Sequence, residues 1–203
     1  YSPTITAPSG LKINNTTSYT GRTAPLTWTA GSLSNGAAVT YSLRKGGTEF
    51  ATTTNTSYTV DESVTKGWGT SAVKLTVVAT GSGKTSSASN EVTYTYQPAF
   101  TANPSGLKIN GGSSYTGQTA PLTWTAATIS NGATITYTIY NGSTSVGTTT
   151  STSYTIPETT TKSWTSAVTL TVKASASGVT SGATSGVTYT YSPAITAPSN
   201  LKI

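Results

Sequence analysis

The sequence predicts an all-β protein made of two tandem seven-stranded antiparallel β-sandwiches. Three observations predict it. Pro25-Leu26-Thr27-Trp28-Thr29-Ala30 returns letter for letter as Pro121-Leu122-Thr123-Trp124-Thr125-Ala126. In both copies Leu and Trp alternate with Thr, which sends the apolar side chains to one face of a strand and the hydroxyls to the other. The whole chain repeats with a period of about 95 residues, longer than a solenoid repeat and suited to a complete domain. No stretch carries helical periodicity over a useful length; short alternating runs follow one another, separated by turn signals.

The first repeat opens at Tyr1-Ser2-Pro3, the second at Tyr96-Gln97-Pro98, and a third, cut short, at Tyr191-Ser192-Pro193. The expected domains are therefore 1–97 and 98–192, with 193–203 the start of a further repeat, and the chain reads as a segment of a longer one. Leu11-Lys12-Ile13 and Leu107-Lys108-Ile109 read as a first strand with Lys outward. A polar Ser/Thr/Tyr/Gly loop precedes the Trp strand, whose indole is the best candidate for the centre of a small core. Ser34-Asn35-Gly36 and Ser130-Asn131-Gly132 are turn signals. Val39-Thr40-Tyr41-Ser42-Leu43 and Ile135-Thr136-Tyr137-Thr138-Ile139 follow as strands. Asn141-Gly142, replaced by Lys45-Gly46-Gly47 in the first copy, signals a hairpin because these residues tolerate positive φ.

Beyond the hairpin, a weak edge strand is expected around Phe50 and Val146, then Tyr58-Thr59-Val60 and Tyr154-Thr155-Ile156. A crossover carries Glu62, Lys66 and Trp68, matched by Glu158, Lys162 and Trp164. The most regular alternation is Val73-Lys74-Leu75-Thr76-Val77, matched by Val168-Thr169-Leu170-Thr171-Val172. A Gly/Ser loop leads to the last strand, Val92-Thr93-Tyr94-Thr95-Tyr96 or Val187-Thr188-Tyr189-Thr190-Tyr191.

This order of a Trp strand, a Tyr strand, a hairpin, a Tyr-x-Val/Ile strand and an alternating strand resembles fibronectin type III and related immunoglobulin-like modules. The family's usual sixth-strand Tyr is replaced by Leu75 and Leu170, with Trp68 and Trp164 upstream, which leaves the immunoglobulin-like subtype open. Near-identical tandem copies of such modules resemble those of bacterial surface adhesins and of phage tail or virion appendages. The resemblance implies an extracellular, cell-surface or virion location.

Charged residues make up only 8% of the chain, and the net charge is +6. Ser and Thr supply roughly a third, far above the usual share; Thr is β-branched and suits the solvent face of a sheet. The bases form no run, and Arg22, Arg44, Lys45 and Lys74 of the first repeat give way to Gln118, Tyr140, Asn141 and Thr169. A nucleic-acid surface would keep its positive stripe in both copies, so no nucleic-acid partner is expected. No apolar run approaches membrane-span length, so no membrane insertion is expected in this segment.

Cys, His and Met are absent, which removes disulfides, thiol and imidazole catalysis and zinc-thiolate sites together. A Ser nucleophile would have only Lys for a base. Paired carboxylates for glycoside cleavage fail in the second repeat, whose crossover offers Glu158 alone. Asp61-Glu62 as calcium ligands fail likewise against Pro157-Glu158; a solvated Glu–Lys pair is the simpler reading. No enzyme, metal or cofactor is expected. An isopeptide staple would need Lys12, Asn90 and Glu62 packed together, but Asn90 has no counterpart in the second repeat and Lys12 points outward. Asn-x-Ser/Thr sites at Asn14, Asn15, Asn55 and Asn141 matter only in a glycosylating host, and outward Thr-x-Thr pairs are ordinary strand surface rather than an ice-binding array.

The functional expectation is a non-catalytic stalk or spacer in a long extracellular surface or filamentous protein. Its partners would be neighbouring repeats of the same chain and other copies in a filament. Each domain is on the order of 35 Å across, and Pro98, Pro104, Pro193 and Pro198 stiffen the junctions by fixing φ, so scattering from the tandem should be that of a rod. The alternative is a phage tail or virion appendage that recognises a host-surface glycan or protein, with Tyr19 and Tyr115 as candidate ligand contacts on loops of a rigid scaffold. Leu201 and Ile203 of the cut repeat should seek a partner sheet.

Overall fold

The computed structural model describes residues 2–194; the expected third-repeat strand with Leu201 and Ile203 lies outside the described residues. The chain divides into two units, Tyr1–Pro98 and Ala99–Ile203. Unit one contains β1 (Ser9–Ile13), β2 (Ser18–Gly21), β3 (Ala24–Thr29), β4 (Thr40–Lys45), β5 (Thr48–Thr53) and β6 (Ser57–Val60). A single helical turn, α1 (Glu62–Thr65), and a 3-10 turn over Lys66–Trp68 follow, then β7 (Val73–Gly81), β8 (Lys84–Ala88) and β9 (Val92–Tyr96). One sheet has the order β1-β3-β6; the other runs β2-β9-β7-β4-β5, with β8 paired to β7.

Unit two repeats the plan with β10 (Phe100–Ala102), β11 (Ser105–Ile109), β12 (Ser114–Gly117), β13 (Ala120–Thr125), β14 (Thr128–Ile129), β15 (Thr136–Asn141) and β16 (Thr144–Thr149). The chain continues through β17 (Ser153–Ile156), the turn α2 (Glu158–Thr161), β18 (Val168–Ala176), β19 (Val179–Thr180) and β20 (Val187–Tyr191). Its sheets are β11-β13-β17 and β12-β20-β18-β15-β16, with β19 on β18 and a small β10-β14 pair.

Both units are sandwiches because alternation along the strands puts one apolar face of each sheet against the other. In β3, Ala24, Leu26 and Trp28 are buried while Thr27 and Thr29 are exposed. They pack in one cluster with Leu11 and Ile13 of their own sheet and with Tyr41, Leu43, Leu75, Val77, Val92 and Tyr94 of the facing one. The second unit closes an equivalent cluster around Trp124. Each indole sits edge-on to a Tyr of the facing sheet, at 5.4 Å for Trp28–Tyr41 of β4 and 5.4 Å for Trp124–Tyr137 of β15. Such aromatic contacts add to the burial of area itself.

The antiparallel two-sheet plan is as the alternation predicts, and three local features differ from it. The stretch read as a polar loop before the Trp strand contains β2, which pairs in parallel with β9 through Tyr19↔Tyr94 and Gly21↔Tyr96; β12 pairs with β20 in the same way. The first strand therefore runs in two pieces, one in each sheet. Asn14 and Asn15, at φ 46° and 60°, make the switch between them, a left-handed conformation that Asn tolerates. The Gly/Ser loop before the last strand folds back on β7 as β8. The crossover holds one helical turn, capped by Asp61, whose carboxylate accepts from the Ser63 amide at 2.8 Å.

Candidate functional site

The densest polar constellation of each unit gathers where the helical turn meets the ends of the second and last strands. In unit one the Arg22 side chain donates through Nε to Glu62 Oε2 at 2.9 Å, and Tyr96 donates to Glu62 Oε1 at 3.0 Å. The Thr65 hydroxyl, fully buried, donates to the Arg22 carbonyl, and Tyr94 donates to the Gly21 carbonyl at 2.7 Å. Unit two reproduces this with Gln118 donating to Glu158 at 3.2 Å, Tyr191 to Glu158 at 2.9 Å, Thr161 to the Gln118 carbonyl and Tyr189 to the Gly117 carbonyl at 2.6 Å. Glu62 pairs with Arg22, which follows β2 and reaches the crossover from a part of the chain forty residues earlier.

The electrostatics follow from this wiring. The hydrogen bond to Glu62 holds the Arg22 guanidinium above its ordinary value. Burial raises the Tyr94 phenol, and the bond to Glu158 raises that of Tyr191. In each unit the Glu carboxylate is held by a phenol and by a cation or an amide. It ties the crossover to β9 and to the residue that follows β2, or to β20 and to the residue that follows β12. Both tyrosine shifts favour the neutral phenol in the folded state. The stability they contribute is complete below the unfolded value of 10.0 and is lost as pH rises past it toward the folded values. Melting followed from about pH 8 to about pH 11 is expected to fall above 10.0, and Tyr191→Phe to flatten that fall; an unchanged profile in the variant would count against the link.

Tyr19 and Tyr115, the candidate ligand contacts, lie on β2 and β12 rather than on loops, and both are half-buried. Each ring folds over the glycine two residues on. A Cβ on Gly21 would stand 2.7 Å from the Tyr19 ring, and one on Gly117 the same distance from Tyr115. Glycine is what allows that approach. The Tyr19 ring packs against the core of unit one, and the Tyr115 ring is 6.5 Å from that of Tyr189.

Asn90 has a different task from the staple considered above. Its Oδ1 accepts from the Leu11 amide at 2.8 Å and its Nδ2 donates to the Leu11 carbonyl at 2.9 Å. Paired only with β3 in its sheet, β1 would otherwise leave these groups on an open edge; the side-chain amide stands in for a neighbouring strand. Lys12 is exposed and Glu62 faces Arg22, so the three residues do not converge.

Among the described residues no group of three or more His, Cys, Asp or Glu could hold a metal ion, and no helix is long and apolar enough to cross a membrane. Sequence reasoning missed the Glu–Arg/Gln link, although the signal was present. The Glu is retained in both copies, and the residue at 22 and 118 changes only between two side chains that can donate to it.

No protein-family model matches the chain, and no curated protein matches it in sequence. Among solved structures it is similar to the FN1–FN3 domains of chicken CNTN1, at 15% identity over 91% of this chain and 67% of that one, with a TM-score of 0.35. The class of the protein, a tandem of all-β sandwiches with immunoglobulin-like strand order, stands on the pairings described above.

Proposed function

We propose that the chain is a non-catalytic structural module, a spacer that lengthens an extracellular or virion-surface protein. The observation that supports it is the duplication of the scaffold itself. Two units of near-identical plan each close a separate core, and the best-formed polar constellation in each is spent on holding strand ends together. Repetition of such a unit adds length without adding chemistry. A surface dominated by Ser and Thr hydroxyls stays solvated, and the net charge of +6 opposes non-specific self-association. On this reading its partners are neighbouring repeats of the same chain, with other copies if the parent protein forms a filament.

The test is removal of residues 98–192, in frame, from the protein that carries them. Adhesion or infectivity should persist, with reach shortened by about one domain diameter, on the order of 35 Å. Complete loss of partner binding with the remaining repeats still folded would overturn the spacer role. It would support the second reading, recognition of a host-surface glycan, in which Tyr19 and Tyr115 are contacts. The half-exposed rings and uncharged hydroxyl surface speak for that reading, and Tyr19→Ala with Tyr115→Ala would then abolish binding.

A further inference from the structure

We propose that the cleft in unit one where the β3–β4 connection meets the β5–β6 turn binds a small uncharged hydroxyl-rich ligand, a terminal sugar residue of a glycan. This does not rest on the spacer role, since a spacer can carry a ligand along its length. The cleft has a volume of about 460 Å³ and is lined by residues that include Gly31, Leu33, Val39, Tyr41, Thr54 and Thr56. That volume falls in the range of small-molecule sites. No charged side chain lines it, so an anion would find no counter-charge there. Val39, partly exposed beside the mostly buried Leu33 and Tyr41, offers an apolar patch for the C–H face of a sugar ring. Thr54 and Thr56 offer hydroxyls at the rim that no described protein group engages. The rim is held in place, because the Thr56 carbonyl accepts from the Trp28 amide at 3.0 Å.

The second unit supplies an internal contrast that points to Tyr41. Tyr41 is only 3% exposed, and its hydroxyl reaches the Gly31 carbonyl at 3.5 Å, too long for much hydrogen-bond energy. In unit two the equivalent Tyr137 hydroxyl accepts from the Ala127 amide at 3.0 Å. The same tyrosine is therefore held by a 3.0 Å bond in one copy and by a longer, weaker one in the other. A bond of that length leaves hydrogen-bonding capacity unused, and a ligand hydroxyl seated beside Gly31 would take it up. Gly31 is also the residue that keeps this corner narrow-walled: a Cβ there would stand 2.4 Å from the Thr6 carbonyl oxygen.

The test is titration of the isotope-labelled chain with the methyl glycosides of glucose, galactose and N-acetylglucosamine, followed by amide chemical shifts. Shifts are expected at residues 30–41 and 54–56, with a dissociation constant of about 1 mM, typical of a single shallow contact. Tyr41→Phe should weaken binding about fivefold, and Thr54→Ala with Thr56→Ala, both at exposed positions, should do so without touching the core. The proposal is overturned by the absence of shifts up to about 50 mM glycoside. Equal shifts at residues 126–137 overturn the role of the Tyr41 hydroxyl, and shifts with a neutral peptide but with no glycoside overturn the ligand class.

Discussion

Trp28→Ala is expected to destabilise the first unit selectively while leaving the second unchanged. Trp28 is 6% exposed and packs among Leu11, Leu26, Tyr41 and Val77 from both sheets, so truncation removes the side chain that spans the middle of the sandwich. Replacing a buried Trp by Ala typically costs about 3–5 kcal/mol, from lost transfer energy and the cavity left behind. One term reduces the loss. The Trp28 indole N–H is buried with no hydrogen-bond partner, and the same holds for Trp124; removing it relieves an unmet donor, itself worth about 1–3 kcal/mol. The net effect should fall near 3 kcal/mol, a large part of the 5–15 kcal/mol that holds an ordinary domain. Denaturant unfolding followed by Trp fluorescence should then split into two transitions, with the Trp124 signal in the later one. A single transition, or a loss below about 1 kcal/mol, would show that the indole is not the centre of its core.

Gly31→Ala is the second large effect, and it is informative because the other copy already carries the alanine. The added methyl would meet the Thr6 carbonyl oxygen at 2.4 Å and the Ala79 side chain at 3.3 Å. The Thr6 segment cannot easily retreat. Its amide donates to the Ser32 carbonyl at 2.8 Å, and the Ser34 amide donates to the Thr4 carbonyl at 2.9 Å. Forcing a methylene-sized group into such a place costs about 1–3 kcal/mol. At the equivalent position of unit two, Ala127 is native and 5% exposed, with its amide bonded to Tyr137. The reverse change, Ala127→Gly, should cost less than about 1 kcal/mol through backbone entropy and a small lost contact. Equal tolerance of alanine at both positions, read from melting temperatures, would mean that the two corners are built alike.

That asymmetry marks where reading from residues stopped. Leu26, Trp28, Leu75 and Val77 announced their buried face by strict alternation with Thr or Lys, because side chains alternate across a strand and one face must leave water. Nothing comparable announced β2. Ser18-Tyr19-Thr20-Gly21 has only one apolar side chain, and its strand state comes from pairing with β9, a partner more than seventy residues away in the chain. The carboxylate links were half legible: Glu62 and Glu158 stood out as retained, but their partners Arg22, Gln118, Tyr96 and Tyr191 come from remote strands.

By itself the sequence determined that this protein is a duplicated all-β chain, which strands carry its cores, and that it lacks the side chains most catalysis requires. These are consequences of residue type and local period, which act within a few positions. Only the tertiary structure decided that the first strand divides between two sheets, that Asn90 closes the edge of β1, and that the Tyr41 hydroxyl has a longer hydrogen bond than that of Tyr137. Each depends on distances of a few tenths of an ångström between groups remote in sequence, and hydrogen bonds and packing are decided at that scale.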